Sequence, residues 1–129
     1  MVFEHEVSVR WRDGDGLGHV NHAVFLTYLE EGRDAFYERA LGRDPHYVLA
    51  RAEIDWRAEI RHADRRLQVR IEVERVGTTS LTTREAIITP AGVIAGEARV
   101  VTVLWDAEAR KPTAFSDEER ARLGAYQQR

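Results

Sequence analysis

The hydrophobic period of this chain shifts from two residues to between three and four, then back to two. That confines it to folds in which a strand, one long helix and a run of strands share a core. From Phe3 to Trp11, the residues Phe3, Val7, Val9 and Trp11 share one face and Glu4, Glu6, Ser8 and Arg10 the other, the pattern of a half-buried strand. From Asn21 to Leu41 the rhythm is helical. Phe25, Tyr28, Leu29, Gly32 and Phe36 form an apolar stripe, with Glu30, Arg33 and Asp34 off it. Asn21 suits an N-cap and Gly42 a C-terminal stop. About 20 residues at 1.5 Å each make a helix of roughly 30 Å, long enough to lie across a sheet.

After Asp44-Pro45 the alternation returns. Val48, Ala50, Ala52, Ile54, Trp56, Ala58 and Ile60 fall on one face of a predicted strand, and Arg51, Glu53, Asp55, Arg57 and Glu59 on the other. Leu67, Val69, Ile71 and Val73 mark the next strand, which ends at the turn Val76-Gly77-Thr78-Thr79. Residues 79–89 and 93–105 are rich in Val, Ile and Thr and flank Pro90-Ala91-Gly92, a hairpin signal. Ser116 and Glu119 read as the capping box of a short terminal helix. The expectation is a single α+β domain over residues 1–129: a five-stranded antiparallel sheet wrapped around one long central helix, with a short C-terminal helix. The small side chains of Ala50, Ala52 and Ala58 are the expected points of close helix approach.

A chain of 129 residues can bury a core without disulfides, and this one has no cysteine, which removes thiolate nucleophiles and cysteine-metal sites and fits a reducing compartment. With 19 basic and 22 acidic side chains the net charge is -3, so no global field favours nucleic acid or anionic lipid. Met1-Val2-Phe3-Glu4-His5-Glu6 lacks the basic start and apolar run of a signal peptide, and no segment approaches the roughly 20 apolar residues of a membrane span. A cytoplasmic protein is expected. There is no Gly-x-Ser-x-Gly elbow, phosphate loop or dinucleotide glycine fingerprint.

The chemistry-bearing segment is the run from Trp11 to His22. It sets Asp13 and Asp15, three glycines, His19 and His22 between the first strand and the helix. The first amides of a helix have no intrahelical partner. A carboxylate close to them is held ionised, and the amides can hold a developing oxyanion, which is what thioester hydrolysis requires. Asp15 has two readings here: a former of the glycine-rich turn, or a nucleophile or base for water. Asp13 is assigned to shaping the turn. His19 and His22 straddle the helix cap and no third ligand follows at a recognisable spacing, so no metal is expected. His22 either caps or lines a pocket, or assists at the carbonyl; Asn21 either caps the helix or clamps Asp15.

Phe25, Tyr28 and Phe36 are core aromatics by spacing, with Phe25 and Tyr28 also candidates to line a substrate pocket. Glu30 and Arg33 read as a surface or interface ion pair worth about 0.3 kcal/mol if exposed. Thr79 and Ser80 could hydrogen-bond a ligand. Arg61, Arg65 and Arg66 are either a solvated strand face or contacts for a nucleotide phosphate.

The run Arg10-Trp11-Arg12-Asp13-Gly14-Asp15, with Gly18-His19-Val20-Asn21-His22-Ala23, Phe25-Leu26, Tyr28-Leu29-Glu30 and Arg33, resembles the hotdog-fold acyl-CoA thioesterases of the 4-hydroxybenzoyl-CoA thioesterase type. Gly77 with Ser80, Gly96, and Lys111-Pro112 add softer matches. The resemblance implies that Asp15 is the catalytic carboxylate and that the His22 amide polarises the thioester carbonyl, with the His22 side chain catalytic in one branch. It further implies homodimers assembled into homotetramers with sites at the subunit interface. The substrate is an acyl-CoA, with no metal and no cofactor beyond the coenzyme A of the substrate. Hydratases of the same fold place four residues between their Asp and His, whereas Asp15 and His19 have three between them. Edge strands left by a sheet around one helix also favour self-association. The competing readings are a non-catalytic dimer that binds acyl-CoA or another small ligand, and a purely structural assembly subunit.

Overall fold

The computed structural model describes residues 1–127. Strand β1 (Phe3–Ser8) leads through the glycine-rich loop into helix α1 (His22–Leu41). Then come β2 (Tyr47–Trp56), β3 (Arg66–Val76), β4 (Ser80–Ile88), β5 (Ile94–Asp106), the two-residue β6 (Lys111–Pro112) and helix α2 (Asp117–Gly124). All strand pairs are antiparallel, in the order β1-β3-β4-β5-β2, with β6 joined to β5. This is the expected α+β arrangement, a curled sheet around one long helix.

Both helices begin and end where local chemistry dictates. The Asn21 side chain accepts from the Ala23 amide at 2.9 Å, and Gly42 closes α1 in the left-handed region at φ 71°. Ser116 and Glu119 cap α2 reciprocally. The apolar stripe of α1 is buried as read, and Tyr37, Ala40 and Leu41 widen it.

Three expectations fail for identifiable reasons. Trp11 is 90% exposed, because the chain leaves the sheet after Ser8 and tightens into a 3-10 turn over Trp11–Asp13. Strand β2 stops at Trp56 and carries a register shift between Leu49 and Arg51; the extra residue turns Val48 to the face opposite Ala52, Ile54 and Trp56. The helix packs chiefly on β1, β3 and β4, so Ala50 and Ala52 are exposed rather than covered, and Ala58 is only half-buried. Close approach occurs instead at Gly32, where any Cβ would collide with the Val69 side chain on β3. Leu49 and Trp56 are consequently 55% and 44% exposed on an edge strand that is paired only with β5.

The fourth correction concerns Arg33, expected in a surface or interface ion pair with Glu30. It is buried and forms a bidentate pair with Glu85 of β4, Nε to Oε2 at 2.9 Å and Nη2 to Oε1 at 2.8 Å. Glu85 shares the inward face of β4 with Leu81, Thr83 and Ile87, and also accepts from Thr83 Oγ1 at 2.7 Å. Burial by itself opposes the Arg33 charge, but the Glu85 carboxylate outweighs it and holds the guanidinium more firmly protonated than usual. Removing one partner strands a charge in the core. Arg33→Met is therefore expected to lose about 3 to 5 kcal/mol in urea unfolding, with most of that recovered on adding Glu85→Leu. An Arg33→Met protein with an unchanged midpoint would contradict this role.

Candidate active site

Asp13 anchors the loop that carries the site. Its carboxylate accepts from the Arg10 amide at 2.8 Å, Arg10 Nε at 3.3 Å and the Tyr28 hydroxyl at 2.6 Å, while its carbonyl accepts from the Asn21 amide at 2.9 Å. Burial favours the protonated acid, yet the Tyr28 hydroxyl and the Arg10 amide and guanidinium outweigh it, leaving Asp13 below the usual carboxylate range. Burial and then the bond to Asp13 push the Tyr28 hydroxyl far above its ordinary value. The structural role assigned to Asp13 thus has definite partners.

Two further contacts clamp the loop. The Val20 amide donates to the Ile60 carbonyl at 2.7 Å. His62 Nε2 lies 2.9 Å from the Trp11 carbonyl, and its ring fills the space a Cβ at Gly14 would need. His62 was not singled out by sequence, because it acts from 51 residues away.

Within the clamped loop, the Asp15 amide donates to the His19 carbonyl at 2.8 Å. Asp15 Oδ1 accepts from the Leu17 amide at 2.8 Å, and Oδ2 faces His19 Nδ1 at 3.2 Å. Gly18, at φ 87°, supplies the left-handed residue this turn requires. The His19 ring lies parallel to His22, with centroids 6.3 Å apart. His22 in turn packs against Phe25 and, at 5.5 Å, Trp56.

These rings wall a crevice of about 210 Å³ lined by His19, His22, Phe25, Trp56, Arg57 and Glu59 among others. Trp56 Nε1 donates to the His22 carbonyl at 3.1 Å, and Phe25 sits over Gly96, where a Cβ would come within 3.1 Å of its ring. The His22 amide, first in α1, has no hydrogen-bond partner among the described residues. Asp15 itself is not on the wall and reaches the crevice through His19.

The remaining residues singled out from the sequence are more scattered. Asn21 caps the helix with its side-chain oxygen. Tyr28 is fully buried with its hydroxyl on Asp13 and does not line the crevice. Thr79 and Ser80 stand at the opposite end of the sheet: Ser80 is level with Val103, whereas Trp56 is level with Gly96, about 23 Å away along β5 at strand rise. Arg61 and Arg65 are exposed on the connection into β3, and Arg66 is exposed at its first position. Arg57, on the crevice wall, is paired with Glu97 at 2.9 Å. Trp56 and Arg57 escaped notice as site residues because their position depends on the pairing of β2 with β5. Among the described residues, no group of three or more His, Asp or Glu side chains is placed to hold a metal ion, and no helix is long and apolar enough to cross a membrane.

Comparison with known proteins agrees with this architecture. The family model of the thioesterase-like superfamily matches residues 9–123. A thioesterase from Thermus thermophilus, solved with coenzyme A and zinc, is 31% identical, covering 93% of this chain and 95% of its own, with a TM-score of 0.81. A structure described as a predicted thioesterase from Bacillus stearothermophilus is 25% identical over 100% of this chain and 98% of its own, with a TM-score of 0.87. The uncharacterized protein YsmA of Bacillus subtilis is 26% identical over 125 residues, or 94% of this chain and 84% of its own length. With the match running from the end of β1 into α2, the chain belongs to the thioesterase-like superfamily and has its hotdog fold.

Proposed function

We propose that this chain hydrolyses an acyl-CoA thioester to a carboxylic acid and free coenzyme A. The observation that carries the reading is the unpartnered His22 amide at the start of α1, beside a ring-walled crevice and next to the Asp15–His19 pair. A helix-terminal amide of this kind stabilises a tetrahedral oxyanion, and losing one such donor typically costs about 2.7 to 4 kcal/mol in the barrier. Asp15 supplies the carboxylate, as nucleophile or as base for water, and the His22 ring packs against the bound acyl group. Phe25 lines the acyl pocket. The Thermus relative in complex with coenzyme A supports the ligand class.

The site is completed by a second copy. β2 is an edge strand with Leu49 and Trp56 uncovered, so joining two β2 edges about a two-fold axis satisfies its free backbone groups and buries apolar area. Antiparallel joining brings the Tyr47 end of one β2 beside the Trp56 end of the other. The partner's Thr79 and Ser80, level with its own Tyr47 end, then lie about three strand spacings from the crevice, roughly 14 Å. They and the exposed Arg61, Arg65 and Arg66 contact the pantetheine and nucleotide phosphates, and two such dimers form the homotetramer.

A second reading, a non-catalytic acyl-CoA binder, draws on Asp15 Oδ1, which is engaged with the Leu17 amide as in a simple turn. Thiol release across a panel of acyl-CoA thioesters separates the two. Hydrolysis is expected, with Asp15→Asn folding normally and losing at least about 100-fold in kcat; binding without thiol release favours the second reading, and a fully active Asp15→Asn removes the carboxylate from the mechanism. Sedimentation at micromolar concentration is expected to give a dimer or tetramer, and a monomer would contradict a shared site.

A further inference from the structure

We propose that His19 is the group that takes the proton from the attacking water, and that Asp15 acts through it as a positioning residue. This rests on the thioesterase reading above and departs from it at one residue, since the base for water is His19 and not Asp15 itself.

The geometry makes the distinction. Both Asp15 oxygens are already engaged, Oδ1 by the Leu17 amide at 2.8 Å and Oδ2 opposite His19 Nδ1 at 3.2 Å. Asp15 does not line the crevice, whereas His19 does. The backbone bond from the Asp15 amide to the His19 carbonyl holds the two residues together, and the Leu17 amide holds the carboxylate in the turn, facing His19. A carboxylate facing Nδ1 selects the tautomer with the proton on Nδ1, which leaves Nε2 as a bare acceptor. His19 Nε2 has no partner among the described residues. His22, the other imidazole on the wall, stacks in parallel with His19 and has no carboxylate against its ring.

The step balances without any further reactant. Water attacks the thioester carbonyl carbon, a C–O bond forms, and the water proton passes to His19 Nε2. The carbonyl π electrons move to oxygen, and the His22 amide donates a hydrogen bond to the resulting oxyanion. When the tetrahedral intermediate collapses, the C–S bond breaks and the thiolate takes the proton from His19 Nε2. Acid and thiol leave, and His19 is again neutral. The Asp15 carboxylate faces Nδ1 and balances the transient imidazolium.

The test uses the purified full chain with acyl-CoA thioesters and thiol release as readout. His19→Ala and His19→Gln, checked for folding by thermal unfolding, are expected to lose about 100-fold or more in kcat with KM within about threefold. Added imidazole should restore His19→Ala at least severalfold while leaving Asp15→Asn unchanged, a response that a merely structural histidine does not give. Folded His19 variants with wild-type kcat, or a deficit that imidazole does not relieve, would overturn the proposal in favour of direct action by Asp15. Should the wild-type chain release no thiol from any thioester, the thioesterase reading fails and imidazole nitrogen chemical shifts decide the pairing. A His19 protonated on Nδ1 in the wild type but not in Asp15→Ala sustains the dyad, and one protonated on Nε2 in both refutes it.

Discussion

The carboxylate of Asp13, buried and supplied with donors by Arg10 and Tyr28, is the contact on which the rest of the site geometry depends. It ties the exit of β1 through Arg10, the buried face of α1 through Tyr28 and, by its own carbonyl, the amide of the helix cap Asn21. A charge taken out of water is tolerable only when its lone pairs are filled, and filling them here draws strand, loop and helix together. The loop that follows has its ends held by that node and by the Val20–Ile60 bond, so Asp15 and His19 are placed beside the start of α1 by backbone rather than by flexible side chains. Precision of this kind is what electrostatic stabilisation of an oxyanion requires.

The same layout leaves one edge of the sheet open. α1 covers β1, β3 and β4 and is drawn against the sheet at Gly32, which leaves β2 beyond its reach. An edge strand with a bulge and exposed Leu49 and Trp56 is a place for another chain to add. Trp56 belongs to both features, since it borders the free edge and walls the crevice against His22. The proposed self-association and ligand binding thereby meet at a single side chain.

Much of this was legible in the sequence because it is local. Asn21, Gly42 and the Ser116–Glu119 box satisfy helix ends within a few residues, and the structure has them where the spacing predicts. The two-residue alternation identified the strands but not a one-residue insertion at Ala50, since a bulge changes no composition and still reverses every face before it. Arg33 was misplaced for a different reason: its partner Glu85 is 52 residues away, and only their pairing makes burial of either charge acceptable. A signal was present, for Glu85 keeps step with Leu81 and Ile87 on a face that must be inward. In the site, the spacing from Asp15 to His22 was visible, but His19 as the residue between carboxylate and crevice was not, because a parallel stack with His22 depends on how the clamped loop lies.

Convergence of the His22 amide and the Asp15–His19 pair on one carbonyl is the central claim, and a crystal structure with a non-hydrolysable acyl-CoA analogue tests it most directly. The carbonyl oxygen is expected about 2.7 to 3.1 Å from the His22 nitrogen, with His19 Nε2 facing the carbonyl carbon from the crevice wall. An analogue bound with its carbonyl outside that crevice, and the His22 amide bonded only to solvent, would contradict it.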